Sequence, residues 1–165
     1  MPHPVIDLIK TRKNTNSLPG RRDDRFRVAL IIEGGGMRGV VAGGMVIGLQ
    51  RLGLTNTFDA VFGTSAGALA GAYFLSGQSE EGTSIYYEHL TGKEFIDFKR
   101  PLRKQNLISI EYLLDEVMDN LKPLDYTKIF ESGIPLFPIA TKVSDFQSVA
   151  LEDFRNSGEL KEALR

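Results

Sequence analysis

The chain has 165 residues, of which 42% are hydrophobic and 25% charged, and its formal net charge is −1. These values are typical of a globular domain, and so small a net charge gives no general attraction for nucleic acid. Because the sequence contains no cysteine, disulfides, thiolate catalysis and zinc–thiolate sites are excluded. No apolar run approaches the roughly 20 residues of a membrane-spanning helix, and the first residues lack the apolar segment of a signal peptide. We therefore expect a cytoplasmic or peripheral membrane protein.

The charge is unevenly distributed near the N-terminus. Residues 1–27 carry seven basic and three acidic side chains, and residues 13–20 are mostly polar and include Asn, Pro and Gly. Such a stretch has too few apolar residues to build a core of its own. We expect residues 1–26 to be a mobile N-terminal extension and residues 27–165 to form the domain.

Strands and helices alternate in the first half of that domain. An unbroken apolar run at residues 28–32 predicts a buried strand of a parallel sheet. A helix is predicted at residues 40–52, a second strand at residues 58–62 and a second helix at residues 68–75. This alternation indicates an α/β fold with a mostly parallel central sheet.

The second half adds helices and one further pair of strands. Helical patterns are predicted at residues 79–91 and 109–121, the second with apolar side chains at helical spacing. Residues 134–143 have the pattern of a strand, with which residues 147–151 can pair. A last helix is predicted to begin at Ser157, its N-cap, and to run to residue 164.

The second strand leads into the sequence GTSAG at residues 63–67. The pattern Gly-x-Ser-x-Gly between a strand and a helix is typical of a nucleophile elbow, which exposes the serine on a strained turn. Gly63 and Gly67 have no Cβ, so the strand and the helix can pass close to each other. Ser65 is therefore the candidate nucleophile, and the alternative is a glycine turn that contains a serine by chance.

A glycine loop, GGGMRG, follows the first strand at residues 34–39. Successive backbone N–H groups in such a loop form an anion site at the start of a helix. Beside a serine nucleophile this site becomes an oxyanion hole, which Gly34 and Gly39 would support. Arg38 is a fixed cation that either braces the loop or pairs with a substrate phosphate.

The same loop also matches the dinucleotide-binding pattern Gly-x-Gly-x-x-Gly, with Asp59 20 residues after Gly39. The ribose-binding acid of that pattern belongs at the carboxyl end of the second strand. Asp59 is instead predicted near the start of that strand. Both glycine turns leave the same edge of the sheet, which favours one site built around Ser65 over an oxidoreductase.

The two motifs together resemble the patatin-like phospholipases, whose hallmarks are a Gly-Gly-Gly-x-Arg/Lys-Gly loop followed by Gly-x-Ser-x-Gly. Residues 135–141 are similar to a later strand of the family, and residues 157–165 to the helix before its final motif. The resemblance implies a three-layer α/β/α fold and lipid acyl hydrolysis by a Ser–Asp dyad, without a metal or an organic cofactor. Ser65 would attack a phospholipid or acylglycerol ester, and the N–H groups of Gly35 and Gly36 would bind the oxyanion.

The family's aspartate lies in an Asp-Gly-Gly or Asp-Gly-Ala turn, and no aspartate of this chain precedes a glycine. Two interpretations remain open. The sequence is an N-terminal piece, truncated before a catalytic aspartate that lies beyond residue 165, or the protein is a catalytically silent, lipid-binding relative. We expect the 165 residues alone to turn over poorly, because Ser65 lacks its base.

Other residues have both a functional and an ordinary interpretation. His89 follows Ser65 by too few residues for a usual triad, and Asp145, at a predicted turn, is the one aspartate that we would test as a substitute base. The basic run at residues 99–104 could contact anionic headgroups, although a solvated loop is the more ordinary interpretation. Four aromatic side chains could line an acyl pocket or belong to the core, namely Tyr73, Phe74, Phe95 and Phe98.

Overall fold

A computed structural model describes residues 3–165, and Met1 and Pro2 lie outside the described residues. The helices and strands, in chain order, are α1 Pro4–Asn14, β1 Ala29–Ile32, α2 Gly39–Arg51, β2 Ala60–Thr64, α3 Ala66–Leu75, α4 Ser79–Glu88, a π-helix Tyr112–Leu121, α5 Tyr126–Glu131, β3 Leu136–Thr141, β4 Ser148–Ala150 and α6 Ser157–Leu164. Short 3₁₀ turns occur at Gly36–Arg38, Thr55–Thr57 and Arg100–Arg103. Within the described part of the chain, no helix is long and apolar enough to cross a bilayer.

The four strands form one sheet in the order β1-β2-β3-β4. The pairs β1–β2 and β2–β3 are parallel, and β4 runs antiparallel to β3. This confirms the predicted mostly parallel sheet flanked by helices, consistent with a three-layer α/β/α fold. The second strand begins at Ala60, two residues later than predicted, and the 3₁₀ turn Thr55–Thr57 precedes it.

Helix α3 packs directly on the sheet and is buried along nearly its whole length. Its Gly71 lies over Val61, Leu136 and Ile32, and a Cβ at Gly71 would come within 2.9 Å of the Val61 Cγ1. The missing side chain therefore brings the helix close to the strands. A helix that is apolar on all sides is stable only when it is surrounded, here by the sheet and by α2 and α4.

The opposite face of the sheet is also apolar. The register aligns Ile31 with Phe62 and Phe62 with Phe137, and the two phenyl rings stack with centroids 4.7 Å apart. Ile31 is 78% exposed on this face. Strands with apolar side chains on both faces are typical of a parallel sheet whose two faces are covered.

Over the described residues 3–26, the structure differs from the mobile extension that was expected for residues 1–26, of which Met1 and Pro2 lie outside the described residues. Residues 4–14 form α1, whose Arg12 side chain is 1% exposed. Its guanidinium pairs with Asp24 at 2.9 Å and with Asp59 at 2.8 Å, and Asp59 also pairs with Arg22 at 2.8 Å. Polar composition did not indicate this, because buried ion pairs fix the segment together with only two apolar side chains of α1, Leu8 and Ile9, which pack against the core.

Three further details differ from the sequence prediction. Residues 112–121 form a π-helix in place of an α-helix, and α5 was not predicted. The N-cap of α6 is Asn156, whose side chain accepts a hydrogen bond from the Glu159 N–H at 3.0 Å, so Ser157 is the first helical residue and not the cap.

Candidate active site

Ser65 lies at the turn between the end of β2 and the start of α3, with its side chain exposed. Its backbone angles are φ 51° and ψ −123°, a conformation that L-residues rarely adopt and that marks strain. A Cβ on Gly63 would stand 2.5 Å from the Ala68 Cα, and one on Gly67 would stand 2.8 Å from the Glu33 carbonyl oxygen. Both flanking positions therefore require glycine.

Helix α3 begins directly after this turn. The Ala68 N–H donates to the Ser65 carbonyl oxygen at 2.8 Å, which closes the first turn of the helix. The positive end of the helix dipole consequently lies at the serine, where it stabilises negative charge. The described residues provide no hydrogen-bond partner for the Ser65 Oγ.

The glycine loop lies against this elbow. A Cβ on Gly34 would stand 2.5 Å from the Thr64 carbonyl oxygen and 3.3 Å from the Ser65 Cβ. Gly35 and Gly36 have φ angles of 147° and 55°, so the loop turns in a way that other residues rarely can. Within residues 3–165, no acceptor takes a hydrogen bond from the N–H of Gly35 or Gly36. Two unused donors next to a serine can bind an oxyanion.

The rest of the loop leads into α2. The Arg38 N–H donates to the Gly35 carbonyl oxygen at 3.1 Å, and the Arg38 Nε lies 3.3 Å from where a Cβ on Gly35 would stand. The guanidinium thus lies beside the loop, and its role, bracing the loop or pairing with a substrate phosphate, stays a prediction. Gly39 packs against the Tyr86 hydroxyl and the Ala66 Cβ, so α2, α3 and α4 meet behind the glycine loop. Burial raises the pKa of the Tyr86 phenol, which remains neutral there.

A cavity of about 370 Å³ opens at Ser65 and runs beside α3. Its walls are largely aliphatic and aromatic, and come from α2, α3, α4 and the π-helix as well as the segment around Ile108. Of the four aromatic candidates, Tyr73 and Phe95 line this cavity, whereas Phe74 is fully buried in the core and Phe98 is 79% exposed. Sequence reasoning missed most of the walls, including Leu114 and Met118, because their spacing indicates only an amphipathic helix.

The described side chains place no general base at Ser65. Among those that line the cavity, Arg165 is the only charged one. His89 lies outside the cavity, 3.8 Å from the Glu88 carboxylate, and Asp145 accepts a hydrogen bond from the Gln147 N–H in the turn between β3 and β4. Neither is placed to act on the serine. No group of three or more potential ligand side chains in residues 3–165 could hold a metal ion.

Asp59 is likewise unable to serve as a ribose ligand. Its carboxylate, next to the start of β2, accepts hydrogen bonds from the Val28 N–H, Arg12 and Arg22, each at 2.8 Å. Burial opposes ionisation of Asp59, but these three donors outweigh it and lower the pKa of the carboxyl. Its oxygens are thus used within the fold, at the end of the strand away from the glycine loop.

A mostly parallel sheet that carries a serine elbow beside a glycine loop defines an α/β domain of the nucleophile-elbow class. Residues 30–165 match the family described as "Patatin-like phospholipase", so the chain belongs to the patatin-like phospholipase family. It is also 32% identical over 123 residues to the "Uncharacterized protein YjjU" of Escherichia coli (strain K12). That alignment covers 73% of this chain but 34% of YjjU, so the chain spans about a third of this relative's length. No solved structure matches the chain.

Proposed function

We propose that the chain carries the nucleophile and the oxyanion hole of a lipid acyl hydrolase, a serine esterase of the phospholipase A type. The observation that carries this proposal is the position of Ser65, on a strained turn, against the glycine loop and at the mouth of an apolar cavity. An acyl chain in that cavity would bring its ester carbonyl to the serine, since the cavity walls can bury a hydrocarbon.

In the proposed reaction, the Ser65 hydroxyl gives its proton to an aspartate while its oxygen bonds to the ester carbonyl carbon. The carbonyl oxygen becomes an oxyanion, which the N–H groups of Gly35 and Gly36 and the N-terminus of α3 stabilise. The bond to the alcohol then breaks, the aspartic acid returns its proton to the leaving oxygen, and an acyl-enzyme remains. Water, deprotonated by the same aspartate, then attacks the acyl carbonyl carbon; the bond to the Ser65 oxygen breaks, the aspartic acid returns its proton to that oxygen, and the fatty acid leaves. Each oxyanion donor is expected to contribute about 3 kcal/mol to the transition state.

The aspartate of this dyad is proposed to lie beyond residue 165, in an Asp-Gly-Gly or Asp-Gly-Ala turn. Two observations support this placement. No carboxylate among the described residues lines the cavity at Ser65, and the chain spans about a third of the length of YjjU. A polypeptide that continues past residue 165 is therefore the form in which we expect full turnover.

Labelling with a fluorophosphonate tests the proposal, because this probe reacts with activated serines. We expect such a longer polypeptide to be labelled on Ser65, and labelling to be lost in Ser65→Ala. Ser157→Ala is the matched control, since Ser157 is exposed at the start of α6 and should leave labelling unchanged. Absence of labelling in a folded polypeptide that contains the aspartate motif would contradict the proposed hydrolase.

One observation favours a second candidate, a catalytically silent lipid-binding protein. The Ser65 Oγ has no hydrogen-bond partner among residues 3–165, so nothing described there activates it. This candidate predicts that a fluorescent fatty acid binds in the cavity while the fluorophosphonate leaves Ser65 unmodified. Labelling that depends on Ser65 would exclude it.

A further inference from the structure

A projecting loop contributes to the wall of the cavity that contains Ser65. Residues 95–109 leave the domain and return to it, and the two ends of the loop are paired. The Ser109 N–H donates to the Phe95 carbonyl oxygen at 2.9 Å, the Asp97 N–H donates to the Leu107 carbonyl oxygen at 3.2 Å, and an antiparallel bridge joins Ile96 to Ile108. The base of the loop is therefore fixed, and its Phe95 and Ile108 side chains line the cavity that contains Ser65.

The tip of this loop, residues 98–104, exposes large apolar side chains. Phe98 is 79% exposed and Leu102 is 86% exposed, one on each side of the start of the 3₁₀ turn Arg100–Arg103. Single exposed apolar residues are ordinary, but two within five positions form a small patch that loses its contact with water when it enters an apolar phase.

Basic residues are the neighbours of these two apolar residues in the sequence. Within the described part of the chain, Lys99, Arg103 and Lys104 have no carboxylate oxygen within 4.0 Å. Arg100 has a different role, because its guanidinium donates to the Lys93, Glu94 and Phe95 carbonyl oxygens and holds the tip to the base of the loop. The nearest acid in sequence, Asp97, accepts a hydrogen bond from the Lys99 backbone N–H. Three cations are thus presented beside two apolar side chains.

We propose that the 98–104 tip docks the protein on an anionic lipid surface, with Phe98 and Leu102 inserted between the headgroups and Lys99, Arg103 and Lys104 against the lipid phosphates. The combination of apolar and unpaired basic side chains complements such a surface, which is apolar below and negatively charged at its headgroups. Because the base of the same loop lines the cavity, docking brings this wall of the cavity close to the lipid surface. The benefit of this docking to hydrolysis rests on the proposed function, whereas docking itself can be measured without hydrolysis.

Binding to vesicles tests the proposal with the full chain. We expect the protein to sediment with vesicles of phosphatidylcholine mixed with phosphatidylglycerol, and much less with vesicles of phosphatidylcholine alone. Replacing Lys99, Arg103 and Lys104 together by glutamine should weaken binding to anionic vesicles about a hundredfold, since each basic residue near such a surface contributes about fivefold. Phe98→Ala combined with Leu102→Ala should weaken it at least about tenfold.

The chain offers a matched control in the turn between β3 and β4. Val143 and Phe146 are 86% and 82% exposed, but the neighbouring Lys142 is paired with Asp145 at 3.4 Å. Val143→Ala combined with Phe146→Ala removes an equally exposed apolar pair that lacks unpaired cations, and we expect vesicle binding to be unchanged. Circular dichroism checks that every variant is folded.

Two outcomes would overturn the inference: a parent protein that binds neither vesicle, or tip variants that bind anionic vesicles as well as the control does. The proposed function fails separately, in the fluorophosphonate experiment. If the protein hydrolyses lipid, the tip variants should hydrolyse a soluble short-chain ester at the parent rate. Their rate on vesicle lipid should be lower than that of the parent by a factor of at least about ten. Equal loss on both substrates would show that the tip acts on the active site and not on docking.

Discussion

Replacing Arg12 by methionine tests whether α1 is an integral part of the domain. The Arg12 guanidinium is 1% exposed and donates five hydrogen bonds, which reach the Asp24 and Asp59 carboxylates and the carbonyl oxygens of Thr57 and Phe26. Methionine fills a similar volume but donates none of them. Arg12→Met therefore leaves two carboxylates and two carbonyl groups short of a partner.

The size of the effect follows from what remains at each acceptor. Removing one member of a buried ion pair costs about 3–5 kcal/mol. Asp59 retains Arg22 and the Val28 N–H, each at 2.8 Å, and Asp24 is partly exposed, so water can replace the lost donor there. We therefore expect the lower end, a loss of about 3 kcal/mol in the free energy of unfolding. For a domain of this size that corresponds to a melting temperature lower by about 6–12 °C.

Urea unfolding followed by circular dichroism measures this loss. Arg51→Met is the matched control, because Arg51 pairs with Glu80 on the surface, where the two side chains are 70% and 58% exposed. Exposed pairs contribute little, so this variant should stay within about 0.5 kcal/mol of the parent. If Arg12→Met were no more destabilising than Arg51→Met, α1 would not be anchored by its guanidinium and the reasoning would be refuted.

Three further predictions concern acid stability and the glycines. The hydrogen bond from Arg12 lowers the pKa of Asp24 from 3.8 to about 2. The stabilising contribution of the Asp24 carboxylate is therefore present above about pH 4 and is lost as the pH falls towards 2. The urea concentration at the unfolding midpoint should fall over this range, and it should fall less steeply in Arg12→Met. Gly34→Ala places a Cβ 2.5 Å from the Thr64 carbonyl oxygen, so the glycine loop must move away from Ser65. Fluorophosphonate labelling should then be about a hundredfold slower. Labelling at the parent rate would show that the two turns need not touch. In α2, a Cβ on Gly43 would stand 2.5 Å from the Thr83 Oγ1, whereas one on Gly44 would meet nothing within 4 Å. In the same urea assay, Gly43→Ala should lower the free energy of unfolding by about 1–3 kcal/mol. Gly44→Ala should raise it by about 0.5–1 kcal/mol.

The predictable parts of the fold are those that depend on short-range pattern. The run at residues 28–32 is apolar without interruption and is followed by glycines, which is sufficient to locate β1 and the loop after it. The elbow at residues 63–67 was recognisable because only glycine fits beside a serine with a positive φ. Both features depend only on a few residues that are neighbours in the sequence.

The parts that were missed depend on partners distant in sequence. Arg12 lies 47 positions from Asp59, and in the sequence it stands in a polar segment with nothing to mark it as buried. The π-helix was missed for a different reason. Its wider hydrogen-bonded rings are not marked by any local residue type. Met118 within it is fully buried, whereas Leu121 at its end is 45% exposed.

Strand β2 connects the anchored part of the molecule to the candidate site. Asp59 stands directly before its first residue and Ser65 directly after its last, so the two are separated by about 20 Å of extended chain. The family match begins at residue 30, whereas Arg12 lies before it. The N-terminal helix therefore fixes, through one carboxylate, the strand that presents the serine, while remaining too far from it to take part in any reaction there. Strain at Ser65 persists only if the surrounding structure holds it, and the ion pairs at the opposite end of β2 are part of what holds that strand in place.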